Sequence, residues 1–339
     1  MKKESVVSVI ITVYNYKYNI SLEAVFKGWR QQTISTEIIL CEQSIERDEK
    51  LAELCNRNHV RYIHCLPDLI NGMVRYNIGR VRNIAALLSK CKYLYFNDAD
   101  VLVYRKDYLE ELINFSESNN KIPLMRPFSR RLQSNYNEVF ATCYCGNPEI
   151  NFHEEKYFCK AIFNENSMSI DVIPEGERYR LMNNILHVCT ASDLNKMIEQ
   201  DAKYMEEFPD IWQTAMHYGG LFVSYDNFIK VCGYCEQYFN WGYEDIDIQW
   251  KLDAYTGIQF IDSAIRNCGV LHFEHNSRRQ NEIYTLNNAV FERRKKAGQQ
   301  KAVKGDTEKC DSFISAYLRQ DKTTMIRYVK EAYINDIRK

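Results

Sequence analysis

Four short apolar runs separated by helical stretches constrain the first third of this chain more than any other feature. VVSVIITVY (residues 6–14) is too uniformly apolar for a strand with one wet face and reads as a strand covered on both sides. A helical stretch over about 19–32 leads to TEIILCE, another leads to VRYIHCL, and a third, VRYNIGRVRNIAALLSKC, leads to KYLYFND. Strand, helix, strand in this order implies right-handed crossovers and a parallel sheet, with ligands beyond the carboxyl ends of the strands. The expected fold class is α/β, a Rossmann-like nucleotide-binding sheet flanked by helices.

The chain has 339 residues, a formal net charge of -1 and 45% hydrophobic residues, enough for one large core or two smaller ones. A near-neutral balance gives no whole-protein attraction to nucleic acid, so anion recognition has to be local. The candidates are Arg75, Arg80, Arg82 and the run Arg293-Arg294-Lys295-Lys296. The opening MKKESVVSVIITVY has an apolar run too short to span a membrane and no small-residue cleavage site after it. The 12 cysteines are therefore expected to be reduced thiols of a cytoplasmic protein, where the sequon at Asn114 carries no weight. Cys143 and Cys145 are spaced C-x-C, Cys232 and Cys235 C-x-x-C; only the second spacing suits zinc, so buried free thiols are the reading.

From about 126 to 190 the pattern loosens into polar, aromatic-rich sequence, which reads either as an irregular insertion or as a lid. TASDLNKMIEQDAKYMEEF follows as a helix capped by Thr190 or Ser192. GGLFVSY reads as a strand, NWGYEDIDIQWKLDAYTG as a turn into a helix ending at Gly257, and CGVLHFEH as a further strand. The last segment, from about 281, is helical, and its basic run reads as a solvated helix face or as a contact with an anionic membrane.

Three constellations carry chemistry. Asp98 and Asp100 end a strand one residue apart, and two unit charges about 6 Å apart at an effective dielectric of about 20 repel by roughly 3 kcal/mol. They either cap a following helix and face water, or hold a divalent cation against a diphosphate, since hard oxygen ligands suit magnesium or manganese. His272 and His275 are three apart and face one ion only if their strand ends near Phe273; imidazole plus carboxylate is a manganese-type set. Glu244, Asp245 and Asp247 cluster at a helix start, where the macrodipole favours negative charge. The alternative is that one of them is a general base beside an exposed Trp241 on which a sugar face stacks. Gly219 and Gly220 open a strand and let backbone approach a ligand, or simply form a turn.

In VSVIITVYN, RVRNIAA and YFNDAD the first half resembles family 2 glycosyltransferases of the GT-A type. The second half, from GGLFVSY through NWGYEDIDIQWKL to LHFEHNSRRQNE, is similar to the catalytic region of β-1,4-galactosyltransferases and chondroitin-type capsule polymerases. The resemblance covers about residues 6–120 and 215–285. It implies a GT-A catalytic domain over 1–284, with a nucleotide-binding half (1–120) and an acceptor half (215–284), followed by a helical extension over 285–339. It also implies a UDP-sugar donor, a Mn2+ or Mg2+ ion, and a glycan or lipid-linked glycan acceptor in bacterial surface polysaccharide synthesis. Asp100, His272 and His275 are the implied metal ligands, and Asp98 serves the donor ribose or the metal. Asp245 is the implied inverting base, with Trp241 and Glu244 in acceptor-binding positions and Tyr14, Arg82, Gly219 and Gly220 on the donor side. Glu42 stands where many family 2 enzymes have the aspartate that holds uracil. The rivals are a retaining N-acetylgalactosaminyltransferase and a non-catalytic UDP-sugar-binding relative; a nucleotidyltransferase needs a glycine-rich basic loop that TVYNYKYN is not. Peripheral attachment at the inner membrane face stays open, and the oligomeric state has no sequence signature.

Overall fold

The computed structural model of the protein describes residues 5–14, 20–125, 128–132, 137–146, 157–164, 167–174, 185–188, 215–216, 219–260, 270–273, 281–309 and 311–337. The amino-terminal half begins as the apolar runs require: β1 (Val7–Tyr14), α1 (Ile20–Arg30), β2 (Thr36–Gln43), α2 (Glu49–Arg57) and β3 (Arg61–Cys65). A two-stranded hairpin, β4 (Asp68–Ile70) and β5 (Met73–Arg75), then precedes α3 (Ile78–Leu88), β6 (Tyr93–Asp98), β7 (Val101–Val103) and α4 (Tyr108–Ser118). The stretch expected to be helical from Val74 therefore starts its helix only at Ile78. Asn71 and Gly72, at φ 52° and 75°, close a tight turn of the kind that joins two strands.

The middle of the chain adds β8 (Leu124–Met125), β9 (Phe128–Leu132), α5 (Asn137–Gly146), β10 (Tyr157–Asn164), β11 (Ser167–Pro174), β12 (Ile185–Val188) and β13 (Ala215–Met216). Then come β14 (Leu221–Ser224), α6 (Tyr225–Lys230), α7 (Glu244–Thr256), β15 (Gln259–Phe260) and β16 (Val270–Phe273). The chain ends in α8 (Asn281–Ala297), α9 (Gln299–Glu308), α10 (Phe313–Leu318), α11 (Lys322–Ile326) and α12 (Glu331–Ile334). The helix expected over 190–208 lies outside the described residues.

The main sheet has the order β15-β8-β14-β6-β1-β2-β3. Its β6-β1-β2-β3 part is parallel as expected, while β14 runs antiparallel to both β6 and β8. A second sheet has the order β13-β9-β16-β7, and β10 to β12 form a third. Period-2 alternation divides the main sheet into two faces. Val7, Val9, Leu40, Tyr93 and Tyr95 pack with α1, α2 and α4, whereas Ile10, Ile39, Cys41, Leu94 and Phe96 pack with α3, α6, α7 and the last three helices.

Residue 285 falls within α8, and Phe313, Ile314, Met325, Val329 and Ile334 belong to the same core as α3. Buried Glu236 ties the two together: its carboxylate accepts from Arg80 Nε (2.8 Å), Asn83 Nδ2 (2.9 Å) and the backbone N–H groups of Phe313 (2.8 Å) and Ile314 (3.1 Å). Those two amides open α10, so the acid satisfies donors that a helix leaves unpaired at its first turn. Of the cysteines tested above for zinc, Cys145, Cys232 and Cys235 are free thiols. Among the described residues no helix is long and apolar enough to cross a membrane.

Candidate active site at the carboxyl ends of the parallel strands

The parity of β6 carries Asp98 to the α3 face, the face of Leu94 and Phe96. Asn97 shapes the turn that follows by donating from Nδ2 to the carbonyls of Asp98 and Val101, both at 2.8 Å. That turn sends β7 back against β16, where His272 pairs with Val101 and the Phe273 amide donates to the Asp100 carbonyl at 2.8 Å. The pairing brings His272 Nε2 to 3.8 Å from Asp100 Oδ1. The two donor atoms are near enough to converge on one divalent ion after a small side-chain adjustment, and an imidazole–carboxylate pair suits manganese. His275 lies outside the described residues.

Arg82, on α3, is 3% exposed and lies between two carboxylates. Its Nη2 donates to Asp98 Oδ1 at 3.0 Å and its Nη1 to Asp245 Oδ1 at 2.5 Å, with the guanidinium carbon 5.0 Å from the centre of the Tyr234 ring. The guanidinium offsets part of the repulsion that the sequence leaves unexplained. Gly219 makes the arrangement sterically feasible, because a methyl group on its Cα would overlap both carboxylate oxygens of Asp98. The glycine thus serves Asp98 directly, and Gly220 beside it is buried at the start of β14.

The loop before α7 is backbone-strained: Asn240, Gly242 and Tyr243 have φ of 58°, 103° and 75°. A left-handed tyrosine costs about 1–3 kcal/mol and persists only where its surroundings over-determine it. Here α8 supplies the restraint: Asn287 Nδ2 donates to the carbonyls of Phe239, Trp241 and Gly242 at 3.0, 3.1 and 3.1 Å. The loop presents Trp241, which is 45% exposed and stacked with Tyr284 of α8 at 5.8 Å between ring centres.

The three acids at the start of α7 separate. Glu244 and Asp245 stay with Arg82, whereas Asp247 is fully buried and accepts from Tyr238 (3.0 Å) and from Arg294 Nε (2.6 Å) and Nη2 (3.1 Å). Arg294 and Lys251 also hold Asp306, at 2.8 and 2.9 Å. Asp247 and Asp306 are therefore already neutralised by two cations, Arg294 and Lys251, with the Cys235 thiol beside them, so the three groups do not need a metal ion to offset their charge. Arg294 accordingly leaves the solvated basic face that its sequence neighbours suggest.

Burial pushes the Asp245 carboxyl well above the usual carboxylate range; Arg82 opposes the shift, and the negative charges of Glu244 and Asp98 add to it. Glu244 is raised in the same way, with burial the largest cause and Arg82 again opposing. A carboxylate poised upward in this way is a stronger base than an ordinary aspartate.

At the end of β1 the Tyr14 ring meets that of Tyr76 at 4.8 Å between centres, tilted by 34°, and burial raises the Tyr14 hydroxyl pKa, Glu244 and Asp98 adding to the shift. Tyr76 and Asn240 clasp each other: the Asn240 amide donates to the Tyr76 carbonyl at 2.7 Å, and the Tyr76 amide donates to Asn240 Oδ1 at 3.2 Å. Glu42 is not brought to this cluster. It follows the parity of Leu40 onto the opposite face, and its carboxylate accepts from Tyr62 Oη, from Ser44 Oγ at 2.7 Å and from the Asp48 amide at 3.2 Å. Gln43 is the residue of β2 on the site face, where its Oε1 accepts the Asn77 amide at 2.6 Å. Asn240, Tyr284 and Asn287 were not singled out from the sequence. The exposed aromatic in α8 was the available signal for Tyr284; the two asparagines carry none.

Residues 209–276 match a family model described as the N-terminal domain of galactosyltransferase. No curated protein matches the chain. Among solved structures, GalNAc-T7 with UDP, GalNAc and Mn2+ is 17% identical, with a TM-score of 0.50 over 85% of this chain and 48% of that one. TarS residues 1–349 of S. aureus, in complex with UDP-GlcNAc, is 11% identical, with a TM-score of 0.43 over 98% and 82% of the two chains. A longer TarS structure aligns over 38% of this chain and 21% of its own, so the chain spans half or less of two of the three structures.

Proposed function

We propose that this chain, which has the GT-A glycosyltransferase fold, moves a hexose or N-acetylhexosamine from a UDP-sugar to a glycan hydroxyl with inversion at the anomeric carbon. The observation that carries the reading is Arg82, which holds Asp245 and Asp98 on one guanidinium. A raised, partly accessible carboxylate thereby lies next to the strand-end aspartates that suit a metal-bound diphosphate.

In this reading Asp100 and His272 would hold Mn2+ or Mg2+, joined by His275 on the sequence resemblance. When bound, the ion neutralises charge on the departing diphosphate. Tyr14 and Tyr76 flank the nucleotide, and Gly219 leaves room for Asp98 beside it. Trp241 offers its face to an acceptor sugar, and Glu244 accepts a hydrogen bond from it. Asp245 takes the proton from the attacking hydroxyl as the new carbon–oxygen bond forms and the bond to UDP breaks. A single displacement through one base inverts the centre; a retaining reaction is the rival, and NMR of the product anomer distinguishes the two. Bacterial surface polysaccharide is the acceptor class that the resemblance implies, made at the cytoplasmic side of the membrane.

The test is UDP release from a panel of UDP-glucose, UDP-galactose and their N-acetylated and glucuronic counterparts, with manganese and then with a chelator. Release from one donor that the chelator abolishes supports the reading and names the sugar. Failure to bind UDP with or without manganese contradicts it. UDP binding without turnover on any donor and acceptor supports a non-catalytic relative.

A further inference from the structure

Five aromatic rings form a row through the tryptophan loop, α7 and α8. Trp250 meets Phe291 at 5.9 Å between centres, Phe291 meets Tyr243 at 5.6 Å, Tyr243 meets Tyr284 at 4.9 Å and Tyr284 meets Trp241 at 5.8 Å. The inner three join α8 to α7 and to the loop: Phe291 is buried, and Tyr243 and Trp250 are half-buried in the same small cluster. Asn287 already fixes the loop through three of its carbonyls. The outer two rings add little to that packing, for Tyr284 stays 39% and Trp241 45% exposed. Two large aromatics in contact with each other and with water point to a ligand rather than to the core.

The outer pair suits a flat ligand that covers both rings. The planes are 27° from parallel, and centres 5.8 Å apart mean that the rings are offset, since eclipsed rings in contact would lie about 3.5–4.0 Å apart. An offset leaves part of each face uncovered. Gly242 gives the Tyr284 ring its close approach to the loop: a Cβ there would come within 3.0 Å of Tyr284 Cδ2, at a φ of 103° that favours glycine. Each aromatic side chain has only two rotatable bonds, so a pair held in this way costs little further ordering when a ligand arrives.

The position of the pair names the ligand. Trp241 leads directly into Glu244 and Asp245, so whatever lies on the two rings lies beside the candidate base. The C–H face of a pyranose stacks on an aromatic ring, and 5.8 Å is comparable to the distance between neighbouring sugar rings in a β-linked glycan. We propose that Tyr284 provides a second sugar subsite next to Trp241, so that the acceptor is an oligosaccharide, its reacting unit on Trp241 and the following unit on Tyr284. The assignment of the reacting unit rests on the glycosyl-transfer reading above.

The experiment is saturation-transfer NMR titration of the full chain, with and without UDP and manganese. The probes are N-acetylglucosamine with its β-1,4-linked dimer and trimer, and glucose with cellobiose and cellotriose. In at least one series affinity should rise about tenfold from one unit to two and level off at three, because the next ring, Tyr243, is half-buried. Tyr284→Ala should return the dimer to the affinity of the monomer, Tyr284→Phe should keep the rise, and Leu286→Gln, on the same helix, should leave it unchanged. Circular dichroism of each variant verifies folding. Binding of no probe, equal affinity for one and two units, or a rise that survives Tyr284→Ala overturns the proposal. So does a tenfold loss of UDP affinity in Tyr284→Ala, which assigns the ring to the nucleotide. No sugar is transferred in these titrations, so Tyr284-dependent glycan binding by a chain that turns over no donor would support the subsite and remove the transfer reading. Transfer with no dependence on acceptor length would do the reverse.

Discussion

Arg82 joins Asp98, 16 residues further along the chain, to Asp245, 163 residues further along, with donor distances of 3.0 and 2.5 Å to the two carboxylates. The arrangement explains how a strand end tolerates Asp98 one residue from Asp100, and it sets the state of the proposed base. Asp245 is raised chiefly by burial and held down by Arg82. It acts as a base only when deprotonated, so kcat/KM should fall as pH drops through a pKa above the ordinary carboxylate range. Arg82→Gln removes the opposing charge, so that acid limb should move to higher pH, with activity at neutral pH lowered about 10- to 100-fold. A pH–rate profile of the two proteins checks this; an unmoved limb separates Arg82 from Asp245.

Gly219→Ala should weaken donor binding while leaving the fold intact. The added methyl meets both oxygens of Asp98, so the carboxylate has to leave Arg82. Calorimetric titration of UDP with manganese is expected to show about a tenfold loss of affinity or more. The thermal midpoint should stay near that of the wild type.

His272→Ala should raise the manganese concentration needed for half-maximal transfer. The residue brings the imidazole within 3.8 Å of Asp100, and loss of one ligand from such a set weakens metal binding. Metal titrations of transfer activity, with Asp100→Asn alongside, read this out; an unchanged requirement removes the histidine from the site.

Stability should depend on the network below α7. Arg294→Ala leaves Asp247 and Asp306 short of their shared cation, a loss of about 3–5 kcal/mol for a broken buried pair. Burial alone would raise the Asp306 carboxyl, but Lys251 and Arg294 outweigh it and hold it below its ordinary value. A depressed carboxylate contributes stability above its unfolded pKa and loses it as pH falls through the folded one. Urea melts should therefore show the wild-type advantage over Arg294→Ala at neutral pH and its decline below the ordinary carboxylate range.

The parallel strands were legible because covered strands are uniformly apolar and the helices between them are not. Asp98, Gly219, Trp241, Glu244 and Asp245 were legible as an ordered set. Glu42 was misplaced by a single residue of alternation: Gln43 has the parity of the site and Glu42 the parity of Tyr62 and α2. The β4–β5 hairpin was hidden although Asn71-Gly72 signalled it, because the helical pattern after it was extended too far back. Arg294 looked like part of a surface run, since its partners Asp247 and Asp306 are distant in sequence or unremarkable in type. Asn287 holds the tryptophan loop through backbone carbonyls, which leave no trace in side-chain patterns.

The central claim is that Asp245 deprotonates the acceptor. Its most direct test is transfer and UDP binding measured side by side for the wild type and Asp245→Asn, with the preferred donor and manganese. Loss of transfer by about a hundredfold or more, with UDP binding retained, is the predicted result. Transfer near the wild-type rate would contradict the account.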